Sequence, residues 1–353
     1  MSNPKDSMKS TWRTDKSQWG IPHKILNHAN VFHEDLSRPV PVHAKTDKLP
    51  HLPDWQSHRW ILIHASIPLA IHQLWLYFTN IPFHPIIAFI FYYQASRFFA
   101  FRQLRSMREL GHKYGYLDGD KHARDGVPDA GVGKTLLSVF LAGFLRPAFT
   151  TWLTYNNTDT EDFSNPLLSL LHHPVRLFFE ISLYSIAVDF WFYWYHRLMH
   201  DVSPLWKYHR THHLTKHPNP LLTIYADSIQ EFFDIAGIPL LAWITMKYGL
   251  RFPMGFYEWH VCQLYVLFAE VAGHSGLRIH ATVPNPLAEV LRWLGMDLVI
   301  EDHDLHHRKG WRKSMNYGKQ TRIWDRVFGT CGERIESLEG NVDYGDRVSM
   351  PIF

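Results

Sequence analysis

The sequence predicts an all-α fold, a multi-span helical membrane protein with a cytosolic histidine-rich helical cap. Three observations predict it. Apolar, aromatic stretches close to the roughly 20 residues of a bilayer span recur along the chain. Lys and Arg concentrate in some of the connecting segments and are missing from others. Histidines gather at helical spacing after the apolar stretches.

Taken in order, residues 1–57 are polar, rich in Pro and His and without clear periodicity, so they are expected to form a cytosolic tail, partly ordered at best. The opening MSNPKDSMKSTWRTDK lacks the apolar core of a cleavable signal. Residues 58–174 form the N-terminal membrane region with a basic loop. Trp60–Thr79 and Phe83–Phe101 are its first two spans, and the break Asn80-Ile81-Pro82 makes them a hairpin. Residues 102–134 are basic, and Thr135–Trp152 is the third span. Residues 154–170 contain no Lys or Arg, but do contain the acceptor pattern Asn156-Asn157-Thr158. Residues 175–332 carry the chemistry. They begin with the aromatic fourth span, Val175–Tyr195, and include apolar stretches near 232–246 and 254–273, read as two spans or a re-entrant hairpin. Residues 333–353 are a C-terminal tail.

The positive-inside rule puts the basic loop in the cytosol and the 154–170 loop in the lumen. Everything from His196 onward then starts on the cytosolic side, and the last pair returns His274 to it. Lys and Arg alone fix this topology, yet it gathers every histidine cluster on one face. An internal span could target the chain to the endoplasmic reticulum, the membrane expected for it. A soluble helical bundle is the competing reading, since His64, His72 and His84 fall within or beside the spans.

Composition excludes several functions. A net charge of +3 gives no reason to propose a nucleic-acid partner. Two cysteines, Cys262 and Cys331, cannot build a thiolate metal site. The stretch Ala130–Thr135 imitates a phosphate loop, but Pro128 stands where its first glycine belongs.

Against that background 25 histidines stand out. Four groups matter: His196 and His200; His209, His212 and His213; His274, with His280 six residues on; and His303, His306 and His307. Residues three or four apart share a helical face, so each box presents two or three imidazoles together. Neutral imidazole suits iron, zinc, copper or nickel. Nine or ten nitrogens exceed what one tetrahedral zinc needs, and two metals is the natural number. Taken singly, most histidines are surface or core residues. His172-His173 falls on the lumenal side, and neither His217 nor His260 is assigned a role.

The boxes and their surroundings resemble the fatty acid hydroxylase/sterol desaturase superfamily over roughly residues 175–332. Asp189–His200 is similar to its first box and Pro204–His213 to its second. Ala272-Gly-His274-Ser-Gly276 is similar to a short third element. Asp302–His307, Asn316-Tyr-Gly318 and Trp324–Thr330 are similar to its closing signature. The resemblance implies membrane helices beneath a cytosolic cap, two iron ions, O2 as oxidant, and an apolar lipid or sterol-like substrate. It also implies electrons from NAD(P)H through an external reductase, often with cytochrome b5. His196, His200, His209, His212, His213, His274, His303, His306 and His307 carry over as iron ligands. Arg278 stands where some members have another histidine, which leaves His280 as an open tenth candidate.

Hydroxylation or desaturation of a C–H bond is the expected chemistry, with a slight preference for a sterol-type substrate. Asp189, Glu301, Asp302 and Asp304 are candidates for orienting the ligands, and Arg197 and Arg210 for pairing with acids or facing the electron donor. Phe190–Tyr195 is expected to line the substrate route. Two other classes use the same histidines: a zinc-dependent membrane hydrolase, although no H-E-x-x-H occurs, and a metal-binding or transport protein.

Overall fold

A computed structural model describes residues 6–12, 14–156 and 166–353, with side chains from residue 173 onward in the last stretch. The expected lumenal loop and its acceptor pattern lie largely outside the described residues, as does the side chain of His172.

The fold is mostly helical. α1 (Ile21–His28) and a short strand β1 (Leu49–His51) precede the hairpin of α2 (Asp54–Thr79) and α3 (Pro85–Tyr114). Asn80 closes α2 in the left-handed region (φ 52°), where asparagine is tolerated, and so turns the chain at the break the sequence marks. α4 (Val132–Thr154) and α5 (Pro166–Asp201) follow. α6 (Ser203–His209) leads to α7 (Ser228–Phe232) and α8 (Ile238–Ile244), which continue through two π-helical turns into a single run, Ser228–Gly249. α9 (Phe256–Gly273), α10 (Ala288–Trp293), α11 (Ile300–Lys309) and α12 (Ile323–Val327) complete the helices. β2 (Val342–Arg347) pairs in parallel with β1.

Among the described residues three helices are long and apolar enough to cross a membrane: Asp54–Thr79, Val132–Thr154 and Ser228–Gly249. At 1.5 Å per residue the first two are about 39 and 35 Å long, against a hydrocarbon core of about 30 Å. Their apolar side chains face outward: Ile67, Ile71, Leu74 and Phe78 on α2, and Leu137, Phe140 and Trp152 on α4, are exposed. A belt of this kind fits a bilayer and not water. The apolar 254–273 stretch behaves differently. Almost every residue of α9 is buried, so it is the axis on which α2, α3, α4 and α5 pack.

The 36-residue α5 is about 54 Å long, well beyond one bilayer thickness. Its surplus carries Phe190–Asp201 into the cap, and so brings His196 and His200 out of the spans on one continuous helical face.

Both expected tails are more ordered than their composition suggests. Trp12, Trp19, Leu26, Val31 and Phe32 are buried, with the Trp12 and Phe32 rings stacked 3.5 Å apart. At the other end Val348 and Met350 are buried, and the Pro351 carbonyl accepts from Trp60 Nε1 at 3.0 Å. The physical reason is spacing: a few large apolar residues, widely separated, dock without any periodic signature.

Candidate metal centre

Nine histidines converge on the cap in two sets. His196, His200, His209, His213 and His306 form one; His212, His274, His303 and His307 form the other, and in each the ligating atoms lie within 4.8 Å of one another. Every one of the nine is buried. Two of the four boxes, His209–His213 and His303–His307, divide between the sets. In α11, His303 and His307 are one turn apart and serve the second set, while His306 turns to the first. His209 and His213 serve the first set, and His212 the second. Adjacent residues point about 100° apart on a helix, so a His-His pair feeds two sites.

Carbonyl oxygens orient six of the nine rings. Nδ1–H donates to Tyr317 O from His196 (2.9 Å), to Trp311 O from His200 (2.7 Å) and to Met315 O from His306 (2.6 Å). It donates to Tyr225 O from His212 (3.3 Å), to Glu270 O from His274 (2.7 Å) and to Thr215 O from His307 (3.0 Å). His209 donates to the side-chain oxygen of Gln230 at 2.9 Å. A proton held on Nδ1 leaves Nε2 as a bare lone pair.

Those lone pairs face one another. Nε2 of His196 and His209 are 2.9 Å apart, and Nε2 of His212 and His274 are 3.2 Å apart. No proton is available to be shared between them. Burial first, then the neighbouring imidazoles, holds His196, His209, His213, His303, His306 and His307 well below the ordinary histidine range. Burial lowers His200 to about 4 and, with Lys319 adding to it, His274 to about 3. Nε2 of His200 and His307 has no hydrogen-bond partner among the described residues. Neutral rings with converging lone pairs in a buried site repel unless a cation lies between them, so the donor set fits metal ions.

The carboxylates act one step further out than expected; none of the four accepts a hydrogen bond from the nine rings among the described residues. Asp189 takes the N–H groups of Lys319 and Gln320 (2.6 and 2.9 Å) and the Thr321 hydroxyl (2.7 Å). Asp325 takes the N–H groups of Tyr317 and Gly318 (2.9 and 2.7 Å). Together they clamp the loop whose Tyr317 carbonyl holds His196. Glu301 receives the N–H groups of Ile335, Glu336 and Ser337, Asp302 pairs with Arg334 (2.8 Å), and Asp304 pairs with Arg124 and Arg308 (2.6 Å each). This is how the polar helix IEDHDLHHRK stays buried: histidines on one side, partnered acids on the other. Arg197 pairs with Asp201 and Arg210 with Asp6.

His280 is not part of either set. It bridges to β1, its N–H donating to Pro50 O at 2.8 Å, and its ring tilts against His51. Burial, with Arg334 adding to it, lowers His280 to about 4. A base so depressed contributes stability that is complete above its unfolded value near 6.5 and is lost as pH falls toward 4. Replacing His280 by Gln should therefore leave metal content unchanged and soften the fall in unfolding temperature between pH 6.5 and 4; metal loss in this variant would return His280 to the ligand set.

Gln230 had no signal in the sequence. It lies 21 residues beyond His209, is buried, and is braced by Asp234 at 3.2 Å. Gln230→Leu should weaken metal retention about 10- to 100-fold, read by chelator competition, because the His209 tautomer loses its acceptor. Unchanged retention would make Gln230 a packing residue.

A cleft of about 100 Å3 lies among α3, α4 and α9, lined mostly by apolar side chains such as Leu104, Val139 and Leu264. Its inner wall includes Glu270, whose carbonyl holds His274, and the turn Pro220–Ile224, which leads to the Tyr225 carbonyl that holds His212. The cleft thus abuts the second histidine set. None of Phe190–Tyr195, the residues expected to line a substrate route, is among the residues lining this cleft. Trp194 is instead partly exposed and packs on Phe328.

The sequence profile of the fatty acid hydroxylase family matches residues 181–330, the stretch holding all nine histidines. Fatty acid hydroxylase vlmA from Lecanicillium sp is 42% identical over 322 residues, covering 88% of this chain and 86% of that protein. The chain belongs to the fatty acid hydroxylase family. Within it, methylsterol monooxygenase erg25B of Aspergillus fumigatus is 32% identical over 181 residues (45% of this chain, 55% of that protein). Human alkylglycerol monooxygenase is 29% identical over 165 residues (45% of this chain, 31% of that protein). No solved structure matches. Family membership makes the chain a lipid-oxidising oxygenase that uses O2.

Proposed function

We propose that this family member is a non-haem di-iron oxygenase of the endoplasmic reticulum membrane, its histidine cap facing the cytosol, that hydroxylates or desaturates a C–H bond of an apolar lipid. The observation that carries this reading is the double set of buried imidazoles whose lone pairs converge without protons. For metal–imidazole bonds of about 2.0–2.1 Å, ligands at right angles stand about 2.9 Å apart and tetrahedral ligands about 3.3 Å. The Nε2 separations of 2.9–3.0 Å in the first set lie in that range, so His196, His209, His213 and His306 would be able to share one ion.

Iron bound at the two sets supplies the redox capacity to activate O2 for C–H oxidation. The chain's own residues do the rest. The carbonyl acceptors and Gln230 fix which nitrogen is free. The buried cleft presents the hydrocarbon beside the second set and keeps bulk water out. Hydroxylation places one oxygen atom in product and reduces the other to water, which takes two electrons and two protons. An external NAD(P)H-dependent reductase, with cytochrome b5, is the proposed source.

The test is metal analysis of detergent-purified protein prepared without O2 and low in zinc, followed by turnover on a lipid extract. About two irons per chain, with product formation that needs both O2 and reductant, is the expected result. Stoichiometric zinc with turnover indifferent to O2 would overturn the reading in favour of a hydrolase.

A further inference from the structure

Two cavities share a wall. The first is the cleft beside the second histidine set, about 100 Å3. Its lining near that set includes Arg146 and Glu270, matched to each other with Arg146 Nη2 donating to Glu270 Oε2 at 2.7 Å. The second is a mostly apolar groove of about 440 Å3 between α1, α3 and α4. Arg97, Phe101 and Val139 line both, so a single layer of side chains separates them. Ligand pockets commonly enclose about 300–1,000 Å3, so the cleft alone is short of that range and the two cavities joined are not.

The groove faces the bilayer. Its rim carries Leu137 and Phe140 of the exposed α4 belt, and Ile25 of α1 is exposed beside them. It is built wholly from residues 25–140, outside the family-matched stretch 181–330. The shared wall is loosely held. Arg97 lays its stem against Gly143 of α4, where an added Cβ would come within 3.1 Å of it. Its guanidinium has no ion pair among the described residues. It donates to Gln94 Oε1 at 3.2 Å and lies 5.4 and 5.6 Å from the Tyr93 and Phe101 rings. Ring contacts of this kind are weak at a partly exposed site, and a long cationic side chain in an apolar seam swings readily toward the membrane–water boundary.

We propose that this groove is the bilayer-side entrance to the cleft, that the occupant it admits is an alkyl chain from the membrane, and that Arg97 with Phe101 is the gate between the two cavities. This deepens the lipid oxygenase reading and rests on it only for what happens to the chain once inside.

The experiment is photolabelling of the full-length chain in phosphatidylcholine nanodiscs with hexadecane bearing a diazirine, flashed at increasing times after mixing. Mass spectrometry then locates the adducts, and iron and turnover are measured on the same samples. Adducts should form on the cleft residues Leu264 and Leu267. Leu136→Trp, which fills the groove without touching the cleft, should slow those adducts at least about ten-fold, and Arg97→Ala should speed them about three-fold. Adducts on the outward-facing Ile67 and Ile71 of α2 should keep their rate in both variants. No adduct in the cleft of the unaltered chain would overturn the proposal. So would cleft labelling that Arg97→Ala leaves unchanged, whether or not Leu136→Trp folds, and so would a folded Leu136→Trp chain labelled at the original rate. Labelling needs neither iron nor turnover. A chain that labels as expected but holds no iron would sink the oxygenase reading and leave the entrance standing; an oxidising chain whose cleft labelling ignores both substitutions would do the reverse.

Discussion

The double variant His306→Ala/His307→Ala is expected to purify folded and without metal, its iron falling from about two per chain to well below one, and product formation falling at least about a hundred-fold. The two residues are neighbours in α11, yet His306 belongs to the five-nitrogen set and His307 to the four-nitrogen set. One substitution in each set therefore strips both. The single variants separate the sites: His307→Ala leaves its set with three nitrogens, and His306→Ala leaves four in the other. His307→Ala should lose about one iron per chain and nearly all oxidation, whereas His306→Ala should retain more metal at its site. Metal analysis beside a lipid-oxidation assay reads both effects. Two irons retained in the double variant would remove α11 from the ligand set.

The second large effect concerns stability. Arg124 and Asp304 form an ion pair at 2.6 Å with both side chains fully buried, behind the helix that carries three of the nine histidines. Arg124 also donates to the Leu117 carbonyl at 2.9 Å. Removing one partner of such a pair typically costs 3–5 kcal/mol, because the other charge is left in a medium that solvates it poorly. Asp304 keeps Arg308 as a second partner, so the cost of Arg124→Met should fall near the lower end, about 3 kcal/mol. Gly276 belongs to the same contact. It stands at φ 58°, and a Cβ there would collide with the Arg124 guanidinium. Gly276→Ala should therefore destabilise in the same direction, through strained backbone and a displaced guanidinium. Thermal unfolding of the metal-free protein in detergent measures both; a midpoint unmoved by Arg124→Met would show that Asp304 is content with Arg308 alone.

Much of this architecture was readable from residue order. Helical hydropathy located the apolar parts of α2, α3, α4 and α5, although α3 runs on to Tyr114 and α5 spans Pro166–Asp201, well past the expected ends at Phe101 and Tyr195. The i, i+4 spacing of His196 and His200 holds because α5 runs unbroken to Asp201. All nine histidines named from the boxes meet in the cap. Their division between two sets was not readable, because which way a His-His pair faces depends on what packs behind the helix. The ring-orienting groups were hidden for a different reason. A backbone carbonyl at Trp311, Met315 or Tyr317 has no residue signature, and the acids expected to do this work instead clamp loops. The N-terminal segment misled because Trp12, Trp19 and Phe32 pack as isolated anchors. Likewise Arg146 gave no sign of its position facing a cavity, since one basic residue inside an apolar stretch looks the same from the sequence whichever way it points.

The sharing of α11 between both sets has a consequence for how the centre fills. His303, His306 and His307 ride on one helix, so an ion held at one set narrows the motion of the rings that serve the other. The second ion meets rings already held in place. On the di-iron reading, loading should be cooperative: with less than one equivalent of iron, the population should divide into empty and doubly filled chains, and half-filled molecules should be scarce.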